Sequence, residues 1–265
     1  MLEQMVTGAG VVVYVSRLMS RIGVRHGFST RKGGVSEGAF ASLNLGNHGG
    51  CAMQDDAGRI EENYRRVMEA AGLAGRRLCG VKQVHGSRVV EVGDGEQGGE
   101  VREGDALVTG NAGCVLSVRV ADCVPVLLAS GDGRRVAAVH AGWRGVLAEV
   151  VVVAVGEVGR MGDEGGMVAA IGPCIGMEAF EVGGEVLEEF ERVFGVGAPI
   201  RRDCEGKGHV DLREAVRRQL VDAGVGAERI DTTDRCTWRD AGEFFSHRRE
   251  RGMTGRMAAL VSPRG

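Results

Sequence analysis

Lysine is almost missing from this chain. It occurs only at Lys32, Lys82 and Lys207, so 30 of the 33 basic residues are arginine. Aromatic residues make up 4% of the sequence, and only 4 of its 265 residues are proline. No excess of either charge stands out, since 33 basic residues meet 36 acidic ones for a formal net charge of −3. That balance excludes the broad basic surface that nucleic acid or an anionic membrane selects. Long apolar runs are also missing. The longest, Val146 to Val155, is interrupted by Glu149 and falls short of the roughly 18–20 residues that a spanning helix needs. The opening Met-Leu-Glu-Gln-Met lacks the cationic stretch of a secretory signal, so a cytoplasmic protein is expected. The seven cysteines are an odd number, widely spaced, with no C-x-x-C pair. They are expected as thiols or metal ligands in a reducing compartment, not as a disulfide framework.

What is present reads as an ordinary soluble globular chain, with 43% hydrophobic and 26% charged residues. Glycine is frequent, at 45 of 265, but the absence of a G-X-Y period excludes collagen. We read the glycine and arginine bias as coding composition and attach no function to it. Apolar runs predict strands at Val11–Val15, Val24–Phe28, Cys79–His85, Arg88–Val92, Ala106–Thr109, Cys114–Val120, Val124–Ala129, Val136–His140, Met167–Ile171, Arg229–Thr232 and Arg256–Val261. Pro125 then belongs at the start or edge of its strand. Helical spacing of Ile60, Tyr64, Val67, Met68 and Ala71 predicts a helix over Asp56–Ala71. Further helices are expected over Gly142–Arg160, over Gly184–Phe194 and after Asp211, where Glu214 completes a capping-box-like start. Residues 29–50 and 93–104 read as long Gly-rich loops, the first of a kind usually functional or disordered in compact domains. No repeat, linker or composition step divides the chain, so one mixed α/β domain over 1–265 is expected, with topology left open by periodicity.

Three segments share one form, an apolar strand that ends in a metal-capable residue followed by small ones. They are VKQVHG with His85, VADCVP with Cys123 and VAAVHAGWRG with His140. Two imidazoles and a thiolate suit zinc, and three protein ligands plus water is the catalytic arrangement. The intervals of 38 and 17 residues do not by themselves bring the three together. A Cys123–His140 nucleophile pair is the second reading, and three ordinary strand-end residues the third. Asp122 is a candidate general acid or base, or equally a turn residue. In HAGWRG, Gly142, Arg144 and Gly145 at a strand-to-helix junction suit an anion such as phosphate, or close strand–helix packing. Arg31, Lys32 and Ser36 lie among glycines in a segment that suits an anionic or sugar ligand, or a solvated basic turn. His247, Arg248 and Arg249 read as a charged surface anchored by Phe244 and Phe245. His26, His48 and His209 read as structural or surface histidines, and Cys51, Cys79, Cys114, Cys174, Cys204 and Cys236 as structural thiols, with Cys236 close to a polar segment.

Taken in order, STRKGGVSEGAFASLNLGNH, VKQVHG, DALVTG, VADCVPVLLA, VAAVHAGWRG, AAIGPCIG, FEVG, HVDL, CTW and FFSHRRERGMTGRMAAL cover nearly the whole chain from about residue 25 to 261. This set resembles the YfiH/YlmD-type family, the laccase-domain purine nucleoside phosphorylases formerly described as multicopper polyphenol oxidases. The resemblance implies an α+β fold, a layered α/β/β/α-type domain with mixed sheets flanked by helices and related to cysteine-hydrolase-like toxins. It implies a zinc site formed by His85, Cys123 and His140, with copper as the alternative ion. It implies phosphorolysis of adenosine, inosine and S-methyl-5′-thioadenosine, and deamination of adenosine. Carried over by motif, Cys123, Asp122 and Arg144 are candidate catalytic residues, and Arg31, Asn44, Gln83 and Arg248 candidate substrate contacts. The expected partners are a purine nucleoside and phosphate, with neither nucleic acid nor membrane, in a monomer or homodimer. The chain departs from the family pattern at Gly49-Gly50-Cys51, at Phe180 where tyrosine is common, and at His247 where tyrosine is common. These departures touch expected substrate contacts and leave the three metal positions intact. A cysteine hydrolase, a copper oxidase and a metal-binding module remain the competing classes. With only six histidines, the chain does not suit a laccase built on several coppers.

Overall fold

The structure is a computed structural model that describes every residue except 48, 51, 94–101, 161–164 and 204–205. The expectations for His48, Cys51, Cys204 and most of the 93–104 loop therefore lie outside the described residues. In chain order the first elements are β1 (Glu3–Val6), β2 (Val12–Val15), α1 (Arg17–Arg21), β3 (Arg25–Ser29), α2 (Ala57–Ala70), β4 (Arg77–Cys79) and β5 (Val89–Glu91). There follow β6 (Ala106–Thr109), β7 (Cys114–Val120), β8 (Val124–Ala129), β9 (Val136–Ala141), α3 (Trp143–Leu147), α4 (Val150–Gly159) and β10 (Val168–Ile171). The last are β11 (Glu181–Gly183), α5 (Gly184–Phe194), β12 (Ile200–Arg202), β13 (Lys207–Val210), α6 (Leu212–Asp222), β14 (Ile230–Asp231) and β15 (Met257–Ser262).

The fold is α+β. One six-stranded sheet runs β1-β2-β3-β15-β7-β4 and a second runs β14-β10-β8-β9-β6-β5. Both are mixed, because β4–β7, β5–β6 and β10–β14 pair parallel while the other ladders are antiparallel. Period-2 alternation assigns the faces. In β7, Leu116, Val118 and Val120 face the second sheet, where they meet Leu127 and Ala129 of β8 and Ala138 of β9. On its other face Val115 packs with Val67 and Met68 of α2. The outer face of the second sheet, with Val126, Leu128 and Val139, is covered by α4, α5 and α6 through Val151, Val155, Phe190 and Val216. The order of layers is thus α2, sheet, sheet, helices. Because β8 is covered on both faces it reads as a continuous apolar run. Pro125 is its second residue, and its carbonyl accepts from Gly172 N just past the end of β10, so the missing N–H falls at the sheet rim.

Two local expectations are corrected, and two sets of elements carry no pattern in the sequence. The single helix over Gly142–Arg160 is two, α3 and α4, because Glu149 takes a left-handed φ of 58° between them. The strand at Cys79–His85 ends at Cys79, since the chain leaves the first sheet there and reaches the second only at β5. β1 and α1 carry no apolar pattern, because β1 is an exposed edge strand and only Met19 of α1 is buried. The three-stranded sheet β11-β13-β12 is likewise too short and too polar to give a period-2 signal. The expected start at Asp211 is present, its carboxylate accepting from Glu214 N at 3.0 Å. In the 29–50 segment, Asn63 of α2 gathers the described backbone. It accepts from Val35 N and donates to Ser36 Oγ, Ser42 O and Asn44 O. No helix of the described residues is long and apolar enough to cross a membrane.

Candidate functional site

The register of two strands begins the site. β6 and β9 pair with Ala106 opposite Val139, so the next step places Asp105 opposite His140. His140 N donates to Asp105 O at 2.7 Å, and its Nδ1 lies 2.8 Å from Asp105 Oδ1. The Asp105 carboxylate is fully buried and also accepts from three consecutive backbone N–H groups, Val84 (3.2 Å), His85 (2.9 Å) and Gly86 (2.7 Å). Such convergence needs the chain to curl around the anion, and His85 supplies it with a left-handed φ of 60°. A non-glycine residue in that region costs about 1–3 kcal/mol, and the surrounding bonds must hold it there. Burial alone would push the Asp105 carboxyl up; the bonds from His140, Gly86 and His85 outweigh it and hold the group below its ordinary range. One carboxylate therefore fixes the ring of one histidine and the backbone of another.

Cys123 comes from the crossing between sheets, where β7 of the first sheet ends at Val120 and β8 of the second starts at Val124. The turn is held open by Asp122, which adopts φ 93°. Its Oδ1 accepts from Thr237 Oγ1 at 2.6 Å, its Oδ2 from Arg248 N at 2.7 Å, and its carbonyl from Ile175 N at 2.9 Å. Cys123 Sγ stands 4.0 Å from His85 Nε2, and the two imidazoles meet edge-on with centroids 4.8 Å apart. One donor atom from each of His85, Cys123 and His140 lies within 4.8 Å of the others. Gly142 makes this approach feasible, since a Cβ there would sit 2.8 Å from His85 Cδ2 and 3.2 Å from Cys123 Sγ. Burial would raise the Cys123 thiol, but His140 and His85 bring it down to about 6. Burial would lower His140, but Cys123 and Asp105 raise it to about 9. Without a metal, these opposite shifts favour the thiolate of Cys123 and the imidazolium of His140.

The donor set fits a divalent metal. Tetrahedral coordination at about 2.0–2.3 Å puts donor atoms roughly 3.5 Å apart, a small contraction from the distances here. The His140 Nδ1–Asp105 bond leaves Nε2 as the donor, the arrangement in which a carboxylate orients a ligating histidine.

The three donors line a cavity of about 640 Å³ whose walls also include Lys82, Gln83, Arg119, Asp122, Phe180, His247, Arg248 and Arg256. Of the residues singled out in the sequence, His85, Cys123, His140, Asp122, Gln83 and Arg248 come together here. Gln83 reaches the wall with its amide spent on the backbone of Arg119, donating to its O and accepting from its N at 2.8 Å each. Asn44 stands behind the wall, fully buried, donating to Asp55 and accepting from Gly46 N and Arg256 N. Arg31 and Arg144 are not among the lining residues. Arg31 ties its loop to Ala41 O and Ala241 O and lies 4.5 Å over Phe245, while Arg144 lies 4.2 Å over Trp143. The residues not foreseen are Asp105, Arg119 and Arg256. Two of them left a signal, Asp105 as the acidic residue opening DALVTG and Arg119 as the one charged residue in the otherwise uncharged strand CVLSVRV.

The family model described as multi-copper polyphenol oxidoreductase laccase matches residues 25–264. The chain belongs to this family. Within the laccase family it is similar to a purine nucleoside phosphorylase from Deinococcus radiodurans, 38% identical over 241 residues, covering 91% of this chain and 89% of the relative. It is similar to the purine nucleoside phosphorylase YfiH of Escherichia coli, 40% identical over 233 residues, covering 88% and 91% of the two chains. The crystal structure of YlmD from Geobacillus stearothermophilus superposes with a TM-score of 0.88 at 32% identity, covering 100% of this chain and 99% of that one.

Proposed function

We propose that this laccase-family chain is a zinc-dependent purine nucleoside phosphorylase acting as one domain over residues 1–265 in the cytoplasm. Its substrates are adenosine, inosine and S-methyl-5′-thioadenosine, and it also deaminates adenosine. The observation that carries this reading is one cavity lined both by metal donors, His85, Cys123 and His140, and by cations, Lys82, Arg119, Arg248 and Arg256. The printed names of the Deinococcus and Escherichia relatives supply the nucleoside. The donors favour zinc over copper. A His₂Cys copper centre commonly takes an axial methionine, and no methionine is among the described residues lining the cavity. When bound, zinc supplies Lewis acidity toward an oxygen of water or substrate.

In phosphorolysis a phosphate oxygen bonds to C1′ as the C1′–N9 bond breaks. The electron pair passes to the purine, which takes up a proton and leaves ribose 1-phosphate behind. The wall cations hold the phosphate and balance the charge that develops. Phe180, with the Arg248 guanidinium 5.2 Å over its ring, offers a face for the purine or ribose. Asp122, with both oxygens engaged, holds the Arg248 backbone at the rim. In deamination water adds at C6, the C6–N6 bond breaks and ammonia leaves with a proton from the water. Chromatography of adenosine incubated with zinc-loaded protein, with and without phosphate, beside a chelated control, tests both reactions. Adenine formed only with phosphate is expected, with inosine in either tube, and both lost on chelation. Adenosine unchanged in every tube would sink the proposal. The thiolate–imidazolium pair of Cys123 and His140 favours a cysteine hydrolase as the second reading, which predicts activity that survives chelation and vanishes in Cys123→Ala.

A further inference from the structure

We propose that Arg119 is the residue that grips inorganic phosphate in this cavity, an inference that rests on the phosphorylase reading and names its anion-binding side chain. Three other cations on the walls already have acceptors. Lys82 Nζ donates to Glu103 at 2.9 Å, Arg248 to Glu181 O at 2.9 Å, and Arg256 to Thr254 O and Gly255 O at 3.0 Å each. The Arg119 guanidinium makes no hydrogen bond and no ion pair with any described residue. It is half-buried, so it has given up part of its hydration with no anion in return.

The side chain is nevertheless held in place. Both backbone polar groups of Arg119 are bonded to the Gln83 amide, which fixes the root of the side chain. Its shaft lies flat on Gly46, where a Cβ would come within 2.7 Å of both Cδ and one terminal nitrogen. Asn44 Oδ1 accepts from Gly46 N and from Arg256 N, so one buried amide positions both the surface under Arg119 and the backbone of a second wall arginine. A preorganised guanidinium loses little entropy on binding, and its planar fork matches two phosphate oxygens. The metal donors line the same cavity as Arg119, so a nucleoside held there shares one space with phosphate on the arginine.

The test is calorimetric titration of inorganic phosphate, and in parallel adenosine 5′-monophosphate, into zinc-loaded wild-type protein and its Arg119→Gln, Arg119→Lys and Gly46→Ala variants. Steady-state kinetics of the same proteins completes it. Loss of the charged hydrogen bonds in Arg119→Gln is expected to weaken phosphate binding, and to raise the KM for phosphate, by roughly 10- to 150-fold. The KM for nucleoside should change far less. Arg119→Lys should fall between, keeping charge without the fork. Gly46→Ala should weaken phosphate by displacing an intact Arg119, which decides the matter if Arg119→Gln fails to fold. Phosphate binding and KM unchanged in Arg119→Gln would overturn the inference, as would equal losses for phosphate and nucleoside. Arg119-dependent binding of the monophosphate but not of free phosphate would overturn the assignment to inorganic phosphate. Arg119-dependent phosphate binding in a protein that turns over no nucleoside would refute the phosphorylase reading and leave the anion site standing.

Discussion

Replacing Asp105 by asparagine should loosen the metal site more than any other conservative change outside the ligands. The wild-type carboxylate accepts four N–H groups at 2.7–3.2 Å with no access to solvent. An asparagine offers one acceptor oxygen and turns an NH₂ group toward the remaining donors. Each buried donor left unpaired costs about 1–3 kcal/mol, and a broken charged network about 3–5 kcal/mol in all. Against a total stability of roughly 5–15 kcal/mol that is a large share. The metal feels it twice. His140 loses the partner that fixes its ring, and His85 loses the anion around which its left-handed turn is wrapped. Removing one such partner typically lowers metal affinity about 10- to 100-fold. The double role of Asp105 puts the expectation near the upper end, about 2.7 kcal/mol of binding free energy. Competition against a chromophoric zinc chelator reads the affinity, and urea unfolding of the chelated protein reads the stability. A variant with wild-type circular dichroism and zinc affinity within about threefold of wild type would refute the reasoning.

Three further outcomes are expected. Gly142→Ala should drive His85 away from Cys123, since its Cβ would sit 2.8 Å from the His85 ring, and cut turnover by about 100-fold while the fold persists; unchanged turnover would contradict the packing argument. In the chelated protein, Cys123 should react with iodoacetamide along a profile with a midpoint near pH 6, because the depressed thiol stays ionised above that pH and protonates as pH falls through it. Cys79, which burial and the neighbouring Cys114 push up to about 11, should stay unreactive, zinc should protect Cys123, and an ordinary thiol midpoint would count against the site electrostatics. Thr237→Val should leave Asp122 Oδ1 short of its 2.6 Å partner and cost about 1.5–3 kcal/mol in urea unfolding, a value near zero showing that water replaces the hydroxyl.

Much of the molecule is legible in its sequence, and the limits have physical causes. Buried strands such as Val124–Ala129 and Val136–Ala141 announce themselves because their environment demands apolar residues at every position. Asp211 and Asp56 mark helix starts because a carboxylate there satisfies local backbone N–H groups. β11, β12 and β13 carried no such mark, because strands of three or four mostly polar residues owe their existence to their neighbours.

The same division runs through the site. His85, Cys123 and His140 were recognisable as metal-capable residues closing apolar segments, though His85 lies in a loop beyond β4, because donor type is a property of the residue itself. Their spacing alone did not bring them together, although the family resemblance implied it, because convergence depends on two sheets stacking and on the crossing between β7 and β8. Asn44, Gln83 and Arg31 belonged to recognisable motifs, yet only the packed chain shows Asn44 and Gln83 supporting Arg256 and Arg119, and Arg31 stacked on Phe245. Arg119 became a candidate only when its missing counter-charge became visible. Residue chemistry is local and can be read from the sequence. Who stands opposite whom, and which charge is left without a partner, are sums over the whole fold that only the tertiary structure decides.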